Sequence, residues 1–285
     1  MRVPFFFLAA MMTLGTLAAP FPATIDWKPT HTDQWKGFPR HHFKVDGCNA
    51  WVVTPKKPAP GNQWVWCMEF PTAFDNRTGV VPLVNDGFYY VHISVGNTFG
   101  APSAQKHLDA FYDHIVAKGL NPKGSLIGVS RGGLYIYGFA RRHPERVVTL
   151  YGDAPVCDFK SWPAGKLISQ DRIYSGSKGD WDSLMKLYGF KDLAAASAYA
   201  DLPLDLSTLK VLKQAGIPLI HVVGDVDVIV PPVENTLILQ KRYRELGGTI
   251  TVFHKPDCNH HPHGLEDPAP VVKLIKKYTA ERAAK

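Results

Sequence analysis

The sequence predicts an α/β protein with a mostly parallel central sheet and helices on both of its faces. Short apolar runs alternate with segments of helical periodicity through most of the chain. Some runs, such as Trp64-Val65-Trp66-Cys67-Met68-Glu69-Phe70, are apolar at nearly every position, as suits a strand covered on both sides. One run, residues 124 to 127, leads straight into Gly128-Val129-Ser130-Arg131-Gly132, and residues 133 to 142 then read as a helix. A strand, G-x-S-x-G and a helix in that order describe a sharp turn that lifts the serine oxygen clear of the sheet. Side chains at Gly128 or Gly132 are expected to collide with the neighbouring strand or helix.

The elements follow in order. Residues 24 to 42, with Trp27, Trp35 and His41-His42, read as an irregular lead-in. Residues 43 to 54 alternate as a strand does, and Pro55, Pro58, Pro60 and Gly61 mark a turn. Residues 64 to 70 form the next strand and residues 71 to 75 a loop. Residues 88 to 94 are another buried strand. Leu108, Phe111, Tyr112 and Ile115 then share one face of a helix over 101 to 118. After the serine strand and its helix, residues 147 to 151 are a strand. Residues 157 to 206 break the rhythm, with Trp162, Tyr174, Trp181, Tyr188, Phe190 and Tyr199 among Gly, Pro, Ser and Asp. They read as an insertion over the strand ends, a lid or substrate wall. A helix at 207 to 215, a strand at 217 to 224, a helix at 232 to 246 ended by Gly247-Gly248, and a strand at 249 to 254 follow. Val271, Leu274, Ile275 and Tyr278 mark the last helix.

The chain has 285 residues, 45% hydrophobic and 20% charged, an ordinary globular composition. Residues 1 to 18 have one positive charge, an apolar stretch and small residues at Thr16 and Ala18, and so read as a secretory signal peptide. The apolar run is short for a spanning helix, and no other segment is long and apolar enough. The mature chain is therefore expected to be one domain over 24–285, secreted or periplasmic, with no stable membrane insertion. In an oxidising compartment Cys48, Cys67, Cys157 and Cys258 permit two disulfides. Cys157 with Cys258 is the first pairing to test, because both follow strands ending on one edge of the sheet. Cys67 reads equally as a buried thiol. The formal charge is +7, but no basic stripe with interleaved aromatics appears, so nucleic acid is not an expected partner.

A serine alone is a poor nucleophile and needs a base, itself oriented by an acid. Both should follow later strands at the same sheet edge, where functional loops lie. Gly224-Asp225-Val226-Asp227-Val228-Ile229-Val230-Pro231 follows one buried strand, and Asn259-His260-His261-Pro262-His263-Gly264 follows the next. The chain order is Ser, Asp, His.

With these motifs the chain resembles the α/β-hydrolase superfamily over essentially its whole mature length. The resemblance maps the acid of G-x-x-D-x-x-V-P to Asp227. It maps the first histidine of G-H-x-P-H to His260, with Asn259 in place of the usual glycine. It implies Ser130 as nucleophile, with oxyanion donors at the backbone N–H groups of Arg131 and Phe70; Thr72 is next in line, and Pro71 has no N–H. Gly-Val-Ser-Arg-Gly-Gly and Ala-Pro-Val-Cys-Asp-Phe-Lys-Ser-Trp-Pro also resemble exported bacterial hydrolases often associated with polysaccharide breakdown. Asp225 competes with Asp227, or else bonds backbone groups in its turn. Asp153 is a further acid, and His261 and His263 are loop residues or shape the pocket. His221 reads as a satisfied core histidine. A zinc site of His260, His261 and His263 is the sharper alternative, weakened by its confinement to one short loop. The expectation is a serine hydrolase of carboxylic esters, an acyl group on a glycan among them, with no cofactor and no metal. The partner is then a small-molecule or glycan ester. The alternatives are a peptidase of the same fold and a non-catalytic glycan-binding protein.

Overall fold

The computed structural model describes residues 21, 22 and 24–283; the leader read at 1–18 lies outside them. The strands are β1 (His31–Trp35), β2 (Phe38–Val45), β3 (Cys48–Val53), β4 (Trp64–Cys67), β5 (Tyr89–Ile93), β6 (Gly124–Val129), β7 (Val147–Asp153), β8 (Leu219–Gly224) and β9 (Ile250–Lys255). The helices are α1 (Val80–Asn85), α2 (Pro102–Ala117), α3 (Gly132–Arg142), α4 (Lys178–Tyr188), α5 (Leu193–Ser197), α6 (Leu206–Gln214), α7 (Thr236–Glu245) and α8 (Ala269–Arg282). All nine strands form one sheet in the order β1-β2-β3-β5-β4-β6-β7-β8-β9. Pairings from β1 to β5 are antiparallel, and those from β5 through β4 to β9 are parallel.

Alternation along the strands sorts the core into two layers. Trp64, Trp66, Leu126, Leu150 and Leu219 face α2, α3, α6 and α7. Val65, Cys67, Ile127, Tyr151 and Ile220 face α1 and α8. This is why the central strands read as unbroken apolar runs. Trp66 meets Phe111 and Phe139 edge-on, with ring centroids 5.0 and 5.4 Å away. Each such pair adds roughly 0.5–1.5 kcal/mol beyond the area it buries.

The first part of the chain departs from the sequence reading. Residues 31 to 45 are not an irregular lead-in but a hairpin, β1 and β2, closed by Lys36 (φ 48) and Gly37 (φ 82). The alternating stretch from 43 to 54 is two strands, divided at Asp46 (φ 47) and Gly47 (φ 79). Positive φ at both central residues gives the tight turn whose twist matches the flanking strands. The hairpin is hard to see because its outer positions are charged: Arg40 and His42 both bond Asp33. Helix α1, too short and Pro-containing to show a period, was not expected.

The four cysteines are free thiols. Cys157 and Cys258 do not pair, although both follow strands ending on the same edge. They sit in loops leaving strands that β8 separates, and each thiol turns to a nearby carbonyl: Cys157 Sγ donates to Pro155 at 3.4 Å and Cys258 Sγ to Asn259 at 3.3 Å.

About half of residues 157 to 206 are helical, and the segment carries a small core of its own. Phe159, Trp162, Leu184, Ala196 and Leu202 bury themselves with Phe99, Leu134, Val156 and Val230. Ser177 caps α4, accepting from the Asp180 N–H at 3.4 Å, and Gly189 (φ 70) ends it. Phe159, Tyr188, Phe190 and Tyr199 pack on one another, with centroids 5.3–5.8 Å apart. No described helix is long and apolar enough to cross a membrane.

Candidate active site

The parallel strands deliver the site residues to one rim. Ser130 sits between the end of β6 and the start of α3, at φ +52. A non-glycine residue there costs of order 1–3 kcal/mol and is held by its surroundings. Its N–H donates to the Asp153 carbonyl at 2.8 Å, and its own carbonyl accepts from Val156 N at 2.9 Å and Gly133 N at 3.0 Å. A Cβ on Gly128 would stand 2.5 Å from the Gly132 carbonyl oxygen, and one on Gly133 2.5 Å from that of Val156. At Gly132 the fit is close rather than impossible, 3.2 Å from the Glu69 Cβ. The steric demand expected at Gly132 therefore falls on Gly133.

Ser130 Oγ lies 2.9 Å from His260 Nε2, and His260 Nδ1 lies 2.7 Å from Asp227 Oδ2. The other Asp227 oxygen accepts from Ile229 N at 2.8 Å and Val230 N at 2.9 Å. His260 and Asp227 are both buried. Burial pushes the Asp227 carboxyl up, but the hydrogen bond and charge of His260 and the two N–H donors outweigh it and hold it below the usual carboxylate range. A carboxylate there accepts from His260 Nδ1–H and leaves the Nε2 lone pair directed at the serine. Asn259 joins the two loops: its Oδ1 accepts from Val228 N at 3.1 Å and from His260 N at 2.7 Å.

The competing residues go elsewhere. Asp225 is exposed and pairs with His254 at 2.6 Å, not with turn backbone groups through its side chain. His221 is fully buried between Tyr137 Oη (2.8 Å) and Thr236 Oγ1 (2.9 Å), and burial lowers its pKa to about 3. Arg131 and Phe70 adjoin: the guanidinium lies 4.8 Å over the Phe70 ring and its Nε donates to Glu69 at 2.7 Å. Burial raises the Glu69 pKa against the pull of Arg131. Phe70 has φ +55, and no hydrogen bond among the described residues outside helices and strands uses the N–H of Phe70 or Arg131.

A cavity of about 240 Å³ opens beside Ser130, lined by Phe70, Ala73, Phe74, Val129 and the three histidines 260, 261 and 263. It takes no lining residue from 157–206. That segment approaches through Phe99, whose ring lies 6.0 Å from Trp162 and 5.8 Å from the Arg131 guanidinium.

No protein-family model and no curated protein matches the chain. Solved structures do. An acylaminoacyl peptidase of Pyrococcus horikoshii aligns with a TM-score of 0.60 at 14% identity, over 86% of this chain and 41% of that one. A puromycin-hydrolyzing peptidase of Mycobacterium tuberculosis gives 0.59 at 15%, over 85% and 40%. An esterase gives 0.56 at 18%, over 86% and 77%. The chain has the α/β-hydrolase fold. It spans about two fifths of the length of those two peptidases.

Within this α/β-hydrolase fold the sequence reading missed a second Asp–His pair. Asp153, at the end of β7, is fully buried, and its Oδ1 bonds His263 Nδ1 at 2.8 Å. Its Oδ2 accepts from the Tyr151 hydroxyl at 2.6 Å and Gly264 N at 2.8 Å. Burial pushes this carboxyl up, and the His263 bond and charge bring it below the ordinary range. The available signal was the sheet edge itself: Asp153 pairs in register with Val129, one residue before the serine.

Proposed function

We propose that the chain is a secreted or periplasmic serine hydrolase that cleaves carboxylic esters through Ser130, His260 and Asp227. One observation carries the reading: a strained serine on a strand-to-helix turn, bonded at 2.9 Å to an imidazole that is bonded at 2.7 Å to a buried carboxylate. His260 Nε2 takes the Ser130 proton as Oγ attacks the ester carbonyl, then returns it to the leaving alcohol. Water, deprotonated in the same way, releases the acyl group from Ser130. Asp227 fixes the imidazole tautomer and balances its positive form. The N–H groups of Arg131 and Phe70 receive the oxyanion, with the positive φ of Phe70 turning its peptide away from strand geometry.

The cavity of about 240 Å³ suits a short acyl group, and an acylated glycan is a substrate of this class. The fold is shared by an esterase and by peptidases, so ester and amide turnover are compared directly. The test is a fluorophosphonate probe with the labelled residue mapped, beside turnover of a panel of p-nitrophenyl esters and aminoacyl anilides. Ser130→Ala should lose labelling and at least about 10⁴-fold in kcat. Labelling at another residue, or undiminished turnover, would remove the nucleophile assignment. Faster cleavage of anilides than of esters would turn the reading to a peptidase.

A further inference from the structure

The loop after β9 holds more imidazole than ester cleavage uses. His260, His261 and His263 each present a ligating nitrogen, and the three atoms lie within 4.8 Å of one another. Two of the rings are backed by carboxylates: His260 Nδ1 by Asp227 at 2.7 Å and His263 Nδ1 by Asp153 at 2.8 Å. Both carboxylates are buried and fully engaged. Asp227 also accepts from two backbone N–H groups, and Asp153 from the Tyr151 hydroxyl and Gly264 N. A carboxylate behind a histidine fixes its tautomer, aims the other nitrogen and raises its basicity, the usual setting of a metal-bound imidazole. His261 is exposed at the cavity mouth, stacked loosely on Phe74 at 5.9 Å.

We infer that His260, His261 and His263 form a binding site for a divalent transition-metal cation, Zn²⁺ by its donor set, whose occupancy switches the enzyme off. Three neutral imidazoles are a nitrogen donor set that suits zinc. With Zn–N bonds of 2.0–2.1 Å, tetrahedral donors stand about 3.3 Å apart, so the cluster closes by a swing on the order of 1–1.5 Å. His261 is the exposed ring of the three and the one with no carboxylate bonded to it, so it is the ring freest to move toward a shared ion. Asp153 and Asp227 supply two negative charges behind the site, and the two cations beside the loop are spent on its carbonyls: Lys255 Nζ donates to that of Pro262 at 2.6 Å and Arg77 Nε to that of His263 at 2.9 Å. The fourth position opens on the cavity, where water completes the shell. A metal on His260 occupies the lone pair that would take the serine proton, so binding and turnover exclude each other. The inhibition rests on the proposed triad; the binding does not.

The test is calorimetric titration of Zn²⁺ into the tag-free full chain, alongside ester turnover. Wild type should take up one ion per chain. Ser130→Ala, inactive but with all three rings in place, should bind with an affinity within about threefold of wild type. His261→Ala, a change at an exposed position, should weaken binding at least tenfold, and Asp153→Asn by about 10- to 100-fold. Co²⁺ should give the intense visible absorption of a tetrahedral site in Ser130→Ala and lose it in His261→Ala. No saturable uptake at millimolar Zn²⁺, or equal affinity in wild type and His261→Ala, would overturn the site. Stoichiometric binding with undiminished ester turnover would overturn the switch. A chain that cleaves no ester would fail the proposed function, while the calorimetry would still decide the site.

Discussion

Asn259 immediately precedes His260, the proposed base, and its replacement tests whether the side chain helps hold that ring. Its Oδ1 accepts two backbone N–H groups, one from the acid loop at Val228 and one from His260 itself. In Asn259→Ala both donors lose their partner. The His260 bond is short (2.7 Å) and partly buried, and its loss costs about 1 kcal/mol. The Val228 bond is longer (3.1 Å) and exposed, so water replaces much of it and its loss costs about 0.5 kcal/mol. Together these make about 1.5 kcal/mol, roughly tenfold if all of it acts on the position of the imidazole. The expected outcome is a three- to tenfold fall in kcat/KM for a short p-nitrophenyl ester. It should fall mainly in kcat, because Asn259 does not line the cavity. A loss of about 3–5 °C in Tm should accompany it. Asn259→Asp keeps an acceptor oxygen and should recover most of the rate. If Asn259→Ala matches wild type within twofold in kcat/KM and melts at the same temperature, the side chain holds nothing and the reasoning fails.

Two further outcomes follow from the same geometry. Gly128→Ala should lower stability by more than about 2 kcal/mol in denaturant titration, because its Cβ would meet the Gly132 carbonyl oxygen at 2.5 Å; an unchanged midpoint would show that the elbow yields. Burial lowers the pKa of His92 to about 4 and of His221 to about 3, so the folded chain keeps both neutral while the unfolded chain protonates them below about 6.5. Stability should therefore be full above pH 6.5 and fall as pH drops toward 4 and 3, by about 2 kcal/mol per histidine at pH 5. His221→Gln should flatten the decline of Tm between pH 7 and pH 5, and an unaltered slope would contradict this assignment.

The parallel half of the sheet was legible because burial on both faces leaves mostly apolar residues in β4, β6, β7 and β8, with Ser125, Thr149, Asp153 and His221 the polar exceptions. The antiparallel edge was less so: β1 and β2 face solvent on one side, and Asp33, Arg40 and His42 read there as loop chemistry. Ser130, Asp227 and His260 could be singled out because they lie one, three and five residues after recognisable strands, inside short motifs. What brings Asp153 to His263 is lateral: β7 stands beside β6, and strand order is not written in any local pattern. The disulfide expectation failed for the same reason, since the sequence does not reveal that β8 separates the two thiols. The aromatics of 157–206 were visible as a cluster, but composition alone does not say that they face one another.

The position of the proposed base, His260, is overdetermined. The loop from 259 to 264 is tied to four separate places: His260 to the ends of β6 and β8, Asn259 to the acid loop, His263 and Gly264 to Asp153 at the end of β7, and the carbonyls of His263 and Gly264 to Arg77. Ser130 follows β6, Asp153 ends β7, and Asp227 and Val228 both follow β8, so the loop reports the relative placement of those three strands. A general base must stand within hydrogen-bond reach of the proton it takes, and misplacement on the order of 1 Å is enough to cost about 100-fold. Several independent anchors limit that misplacement when any one fails, which is why loss of the Asn259 bonds should slow the enzyme rather than stop it. The same anchors hold the second imidazole rigidly beside the first, with ring centroids 4.7 Å apart. The precision that would serve proton transfer thereby also assembles a set of nitrogen donors, and under the proposed metal site a free divalent cation would compete with the serine for the same lone pair.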